Sequence, residues 1–206
     1  MPDTLVRPRK GEATRAAILD TALRLASATG IEALTIGTLA EEAGMSKSGV
    51  FAHFGSREEL QVAVVHEYHR RFQRDVFDPV MALPRGLPRL KGLFDQWIGV
   101  VTHEIQHGCI YISGAFEYDG RPGAVRDALM ASISVWREAL ERACRQAVEA
   151  GHMRPETDPE QLVFELMGLV LALNFDARFL QRPDALARTV RALSHRIAEW
   201  QAPAWN

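Results

Sequence analysis

The sequence predicts an all-α protein, and three observations carry that prediction. Apolar residues recur at steps of three and four over most of the chain. No run of alternating apolar and polar residues lies between Asn-Gly or Asp-Gly turns, so strands and hairpins are not expected. Gly30, Pro79, Pro84, Pro88 and the Pro122-Gly123 pair punctuate the periodic segments where helices should start and stop.

Taken in order, residues 1–11 mix Arg7, Arg9 and Lys10 with Pro2, Pro8 and Gly11 and read as a flexible basic arm. A first helix is expected over 12–28, with Ile18, Leu19, Ala22, Leu23, Leu25 and Ala26 at helical spacing and Gly30 at a left-handed C-terminal cap. Short helices follow at 36–43 and 47–53. Ser56-Arg57-Glu58-Glu59 is a capping box that opens a long helix to about Val76. The change near residue 56, from a compact turn-rich unit to long helices, marks a domain boundary.

Beyond it, four more long helices are expected. One spans 88–107. Another, opened by Arg121-Pro122-Gly123, reaches Ala150-Gly151 and carries Val125, Leu129, Ile133, Trp136, Leu140, Ala143 and Ala147 on one face. Asp158-Pro159-Glu160-Gln161 supplies an N-cap and an N1 proline for a helix so apolar that burial on more than one side is expected. The last, 184–200, bears a seam of Leu186, Val190, Leu193, Ile197 and Trp200 suited to a partner helix.

Composition narrows the classes. At 206 residues, 47% apolar and 24% charged, the chain is an ordinary globular protein of one or two domains. Its longest apolar stretch, Leu162–Phe175, is 14 residues and contains Glu165, short of the roughly 20 that a membrane span needs. The opening MPDTLVRPRKGEATR lacks an apolar core, so no secretory signal and no membrane partner are expected. Two cysteines, Cys109 and Cys144, suit a reducing cytoplasm. Net charge is −2, so any contact with nucleic acid must come from a local cationic face.

That face has a candidate in Thr35–Phe54, TIGTLAEEAGMSKSGVFAHF. It reads as two helices joined at a sharp angle. Ala40 is small where the axes approach, Gly44 is free to take positive φ at the turn, and Leu39, Ala43, Met45 and Val50 form the wedge between them. Ser46 is placed to cap the helix that follows. This is the pattern of a helix-turn-helix. Lys47, Ser48 and Gly49 then open the helix that would enter a major groove, where lysine donates to guanine and serine to either base type. Phe51, His53, Arg57 and Arg15 flank them within reach of phosphates, and Thr35 and Ser46 complete the candidate DNA-contact set.

Residues 14–62, with the lead into GIEALTI, the LAEEAGMSKSGVFAHF core and the GSREEL capping box, resemble the DNA-binding domain of the TetR family of bacterial transcriptional regulators. The resemblance implies a homodimer with a helix-turn-helix DNA-binding domain (12–56) and a helical effector-binding and dimerisation domain (57–206). Such a protein is usually a repressor that leaves a palindromic operator when a small molecule binds. By the same likeness Lys47 and Ser48 match base-contacting positions, and His53 and Arg57 phosphate-contacting ones. Phe51 stands where many members have tyrosine, so a hydroxyl–phosphate bond is lost. Gly37 occupies a position that is basic in some members. Dimerisation is expected through helices near 158–180 and 184–200.

A rival signal is His103-Glu104-Ile105-Gln106-His107, a literal H-E-x-x-H. Two histidines four apart share a helical face, which would make the chain a metal-binding helical protein or a zinc hydrolase. No third ligand follows at a familiar spacing, so no metal, cofactor or enzymatic activity is expected. His66 and His69 are read the same way. Cys109 and Cys144 are expected to be buried rather than redox switches. Among the aromatics, Phe94, Trp97, Tyr111, Phe116, Trp136 and Phe175 are the candidates to line an effector pocket between helices.

Overall fold

The computed structural model describes residues 10–203, with side chains from Gly11 onward. Among the described residues it contains nine α-helices and no strand. The first helix, α1, runs Lys10–Thr29, so the last two residues of the expected arm are helical; residues 1–9 of that arm lie outside the described residues. The short pair follows as α2 (Ile36–Glu42) and α3 (Lys47–Phe54).

The Ser56 hydroxyl accepts from the Glu59 amide at 3.0 Å to start α4 (Arg57–Phe72). Instead of ending there, the chain widens into a π-turn over Gln73–Phe77 and tightens into a 3₁₀ turn over Asp78–Ala82, where Pro79 can stand without a donor. After Pro84 comes α5 (Leu87–His107). A further helix, α6 (Ile110–Tyr118), was not expected from the sequence.

The longest element, α7 (Ala124–Glu149), packs against α4, α5, α6 and α8. Its expected face is buried from Val125 to Ala147 except for the half-buried Ile133. From it an aromatic ladder crosses the body: Trp136 meets Trp97 at 5.4 Å and Phe72 at 4.9 Å, Phe94 flanks Trp97, and Tyr111 joins Phe72 to Tyr68. Edge-to-face ring contacts of this kind stabilise a core beyond the area they bury.

Asp158 caps α8 (Pro159–Asn174) by accepting from the amides of Glu160 and Gln161, and a second π-turn, Phe175–Phe179, prolongs it. Within the single chain only the inner face of α8 is covered, so burial on a second side would need a partner. Leu162, Val163, Leu166, Val170 and Leu173 are buried, while Phe164 is 62% exposed, Phe175 54% and Phe179 75%. The seam on α9 (Ala185–Trp200) finds its partner within the chain: Leu193 and Ile197 are buried, α9 packs on α8, and Val190 is left facing out. No helix among the described residues is long and apolar enough to cross a membrane.

Both cysteines are buried. Burial pushes the Cys109 thiol well above its ordinary value and that of Cys144 up to about 11. Since the thiolate is the reactive form, neither should react with iodoacetamide at pH 8 in the native state, whereas both should label in urea. Rapid labelling of either without denaturant would contradict this packing.

Candidate nucleic-acid interface

The head is built around the turn between α2 and α3. Thr35 caps α2, accepting from the Thr38 amide at 3.1 Å while the Thr38 hydroxyl reaches back to the Thr35 backbone. Leu39 and Ala40 are buried, and the Met45 amide closes onto the Ala40 carbonyl at 2.9 Å. Gly44 takes φ +62, the left-handed conformation that the turn requires. The Ser46 hydroxyl then accepts from the Gly49 amide at 3.1 Å and starts α3, whose inner side buries Val50 and Phe54.

Burying Val50 and Phe54 turns the opposite side of α3 outward. Lys47, Ser48 and Phe51 are exposed, Gly49 and His53 half-buried. Ser46 satisfies the Gly49 amide, so the amides of Lys47 and Ser48 remain at the positive end of the helix dipole, a favourable place for phosphate. Lys47 lies over Gly37 of α2, where a β-carbon would stand 3.4 Å from Lys47 Cε, an ordinary van der Waals distance. The Lys47 stem thus passes over α2 at Gly37.

Two expected phosphate ligands are engaged elsewhere. Arg57 donates to the Leu34 carbonyl at 3.3 Å and to the Glu32 carbonyl, and pairs with the Glu32 carboxylate at 3.0 Å. It ties α4 to the loop between α1 and α2. Arg15 lies 5.0 Å over the Phe54 ring, a cation–π contact that closes the head core. Thr35 and Ser46 spend their hydroxyls on caps. Lys47, Phe51 and His53 are thus candidate side chains brought together on one outward surface, beside Ser48, whose hydroxyl lies 3.1 Å from that of Ser46.

The six aromatic candidates for an effector pocket do not share a cavity. Phe94, Trp97, Tyr111 and Trp136 are buried in the ladder, whereas Phe116, 70% exposed, and Phe175 stand at the surface. Those two border a groove of about 730 Å³ with Ile105, Ile112, Leu171 and Phe179. A larger cleft, about 1030 Å³, opens between α1 and α5 over α4 and contains none of the six. The two meet at Gly108 and Arg178.

The H-E-x-x-H residues diverge. His103 and His107 stack at the surface with centroids 4.2 Å apart, and His107 Nδ1 lies 2.9 Å from the His103 carbonyl. Glu104 turns inward, where it accepts from the Tyr68 hydroxyl beside Cys109. Burial raises its carboxyl above the ordinary range, partly offset by those hydrogen bonds. The three side chains therefore do not converge on a common point. His69 likewise bonds the Tyr111 hydroxyl at 2.6 Å, its basicity lowered by burial and by His66.

The head and body also touch directly. Gly108, at φ +99, caps α5 and lies so close to α1 that a β-carbon there would overlap the Ser27 carbonyl oxygen. On α6, the Glu117 carboxylate accepts from the Glu32 amide at 2.9 Å, and the Tyr118 hydroxyl donates to the Glu32 carboxylate at 3.1 Å.

Comparison with known proteins agrees with this organisation. Residues 18–64 match the family described as bacterial regulatory proteins, tetR family, and residues 86–193 match the tetracyclin repressor-like C-terminal domain. The HTH-type transcriptional repressor KstR2 of Mycobacterium tuberculosis is 28% identical over 159 residues, 74% of this chain and 73% of that protein. A TetR transcriptional regulator from Chloroflexus aurantiacus superposes with a TM-score of 0.80 at 23% identity, covering 94% of this chain and 98% of that one. AibR, solved in complex with isovaleryl coenzyme A and operator DNA, superposes with a TM-score of 0.64 at 27% identity, covering 78% and 85%.

Proposed function

The chain belongs to the TetR family of bacterial transcriptional regulators, and on that footing we propose that it is a repressor that holds a two-fold operator as a homodimer and leaves it when a small molecule binds the body. Its reading unit is residues 12–56 and its effector-binding and dimerising unit 57–206. It has no enzymatic activity of its own and acts in the cytoplasm, where the operator is.

One observation carries the reading of DNA. The Gly44 turn presents the start of α3, with Lys47 and Ser48, on an uncovered surface. Lys47 reads a base edge, Ser48 a neighbouring one, and His53 and the open amides hold phosphates. Arg57 serves as the clasp of the head. The two heads sit about 34–36 Å apart, or at a larger helical repeat, to meet successive major grooves.

The outer side of α8 supplies the dimer contact. Phe164, Gly168, Leu171, Phe175 and Phe179 stand at steps of 4, 3, 4 and 4 and form an exposed apolar stripe of the kind that marks an interface. Facing its symmetry mate, with α9 alongside, it makes an isologous interface.

Selection of preferred duplexes from a random pool tests the whole reading; a chain that enriches none would defeat it. On the selected duplex, Lys47→Ala should cost about 1–3 kcal/mol and relax preference at one base position. Affinity should fall with salt at a slope of about 0.9 per phosphate contact, and a slope of only a few contacts suits the net charge of −2. Equal weakening on selected and scrambled duplexes would remove Lys47 from the base-reading role.

A further inference from the structure

The larger cleft, between α1 of the head and α5 of the body, contains charges that do not balance pair by pair. Asp20 bridges Arg71, Asp75 bridges Arg74 at 2.6 Å, and Glu104 is held by Tyr68. Two guanidiniums are left over. Arg24 donates to the neutral Thr21 hydroxyl at 3.2 Å, and Arg178 to the main-chain carbonyl of Ile105 at 3.2 Å. Neither meets a carboxylate among the described residues.

Such an arginine retains its charge and most of its donors, and its planar fork matches a carboxylate, phosphate or sulfonate. Arg178 stands where the two cavities meet, beside Gly108, and Arg24 is exposed on the α1 wall. The cleft also offers apolar surface from Leu23, Phe72 and Val100. From this arrangement we infer that the cleft takes an anionic amphipathic ligand, an organic acid or an acidic conjugate of one. Its charge lies between Arg24 and Arg178 and its apolar part lies along α4. One wall belongs to the head and the other to the body, so occupancy bears on their relative position. That last step rests on the proposed effector-released repressor; the binding itself does not.

The test uses two dyes on the full chain without DNA: the anion 8-anilinonaphthalene-1-sulfonate and its neutral counterpart N-phenyl-1-naphthylamine, which share an apolar body. The sulfonate should bind saturably. Arg24→Gln, a change at an exposed side chain, should weaken it about tenfold, the low end for a charge-assisted hydrogen bond. Arg178→Gln should do the same, and the double variant should bind only as weakly as the neutral dye. Binding of the neutral dye should move less than twofold throughout. Sulfonate affinity unchanged in Arg24→Gln and in Arg178→Gln would overturn the site, as would parallel loss of both dyes. Duplex selection on the same preparations separates the two readings. A chain that selects a duplex yet ignores both substitutions loses this site and keeps its regulatory role. A chain with arginine-dependent sulfonate binding that selects no duplex does the reverse.

Discussion

A chain carrying Phe164→Glu and Phe175→Glu should sediment as a single protomer and bind its operator about 10²–10⁴-fold more weakly than the parent. Both phenylalanines are more than half exposed in the single chain, so replacing them removes little from its own core. Surface changes of that kind usually shift stability by no more than about 0.5 kcal/mol. Across a two-fold axis the effect is different. In the proposed isologous contact each substitution would occur twice, and four new carboxylates would replace apolar surface that such a dimer buries. Without the dimer, each head meets a half-site alone and the second contact loses its high effective concentration. Sedimentation velocity and duplex titration on one sample give both readouts. A variant that remains dimeric would move the interface away from α8.

The second large effect is expected from Gly108→Ala. A side chain at φ +99 is strained by about 1–3 kcal/mol wherever it occurs. Here it also overlaps a carbonyl oxygen of α1, and backbone cannot step aside as a flexible side chain can. The natural control is Gly151→Ala, also at positive φ (+69) but with nothing within 4 Å. Urea unfolding should show a loss of about 1 kcal/mol for Gly151→Ala and about 3 kcal/mol or more for Gly108→Ala. The difference measures the contact between α1 and the α5–α6 corner. Equal losses would mean that the head does not rest on that corner. Operator affinity should fall for Gly108→Ala alone, because Ser27 is on the helix that carries the head.

The parts of this structure that were legible in the sequence are those governed by near neighbours. Caps at Ser46, Ser56 and Asp158, the Gly44 turn and the buried face of α7 all follow from spacing within a few residues. What escaped depends on contacts far apart in the chain. Helix α6 is short, begins at Cys109 without a side-chain cap and contains Gly114, all weak local signals. It persists because Gly114 lets the helix lie against Ile31 and Leu129, where a β-carbon would crowd both. Arg57 looked free for phosphate because its partners, Glu32 and Leu34, lie 23–25 residues away. The six aromatic candidates do not share one cavity for a related reason: ring type says nothing about whether a ring faces a cavity or another ring. Arg24 and Arg178 come from opposite ends of the chain, and no periodicity joins them. Gly37 departs from the family pattern in the sequence, yet the passage of the Lys47 stem over it depends on the angle between α2 and α3.

Arg57 clasps the head at one end of α4, while the other end enters the π-turn at Gln73. Between them are 16 residues of regular helix, a rigid rod of about 24 Å. Tilting that rod by about 5° carries the head through roughly 2 Å, and in a dimer the two displacements add across the axis. A shift of about 4 Å is about a tenth of the 34–36 Å pitch that the two heads of a dimer would match. Small strain at the foot of the rod is thereby magnified into misfit at the groove, with no refolding of either end.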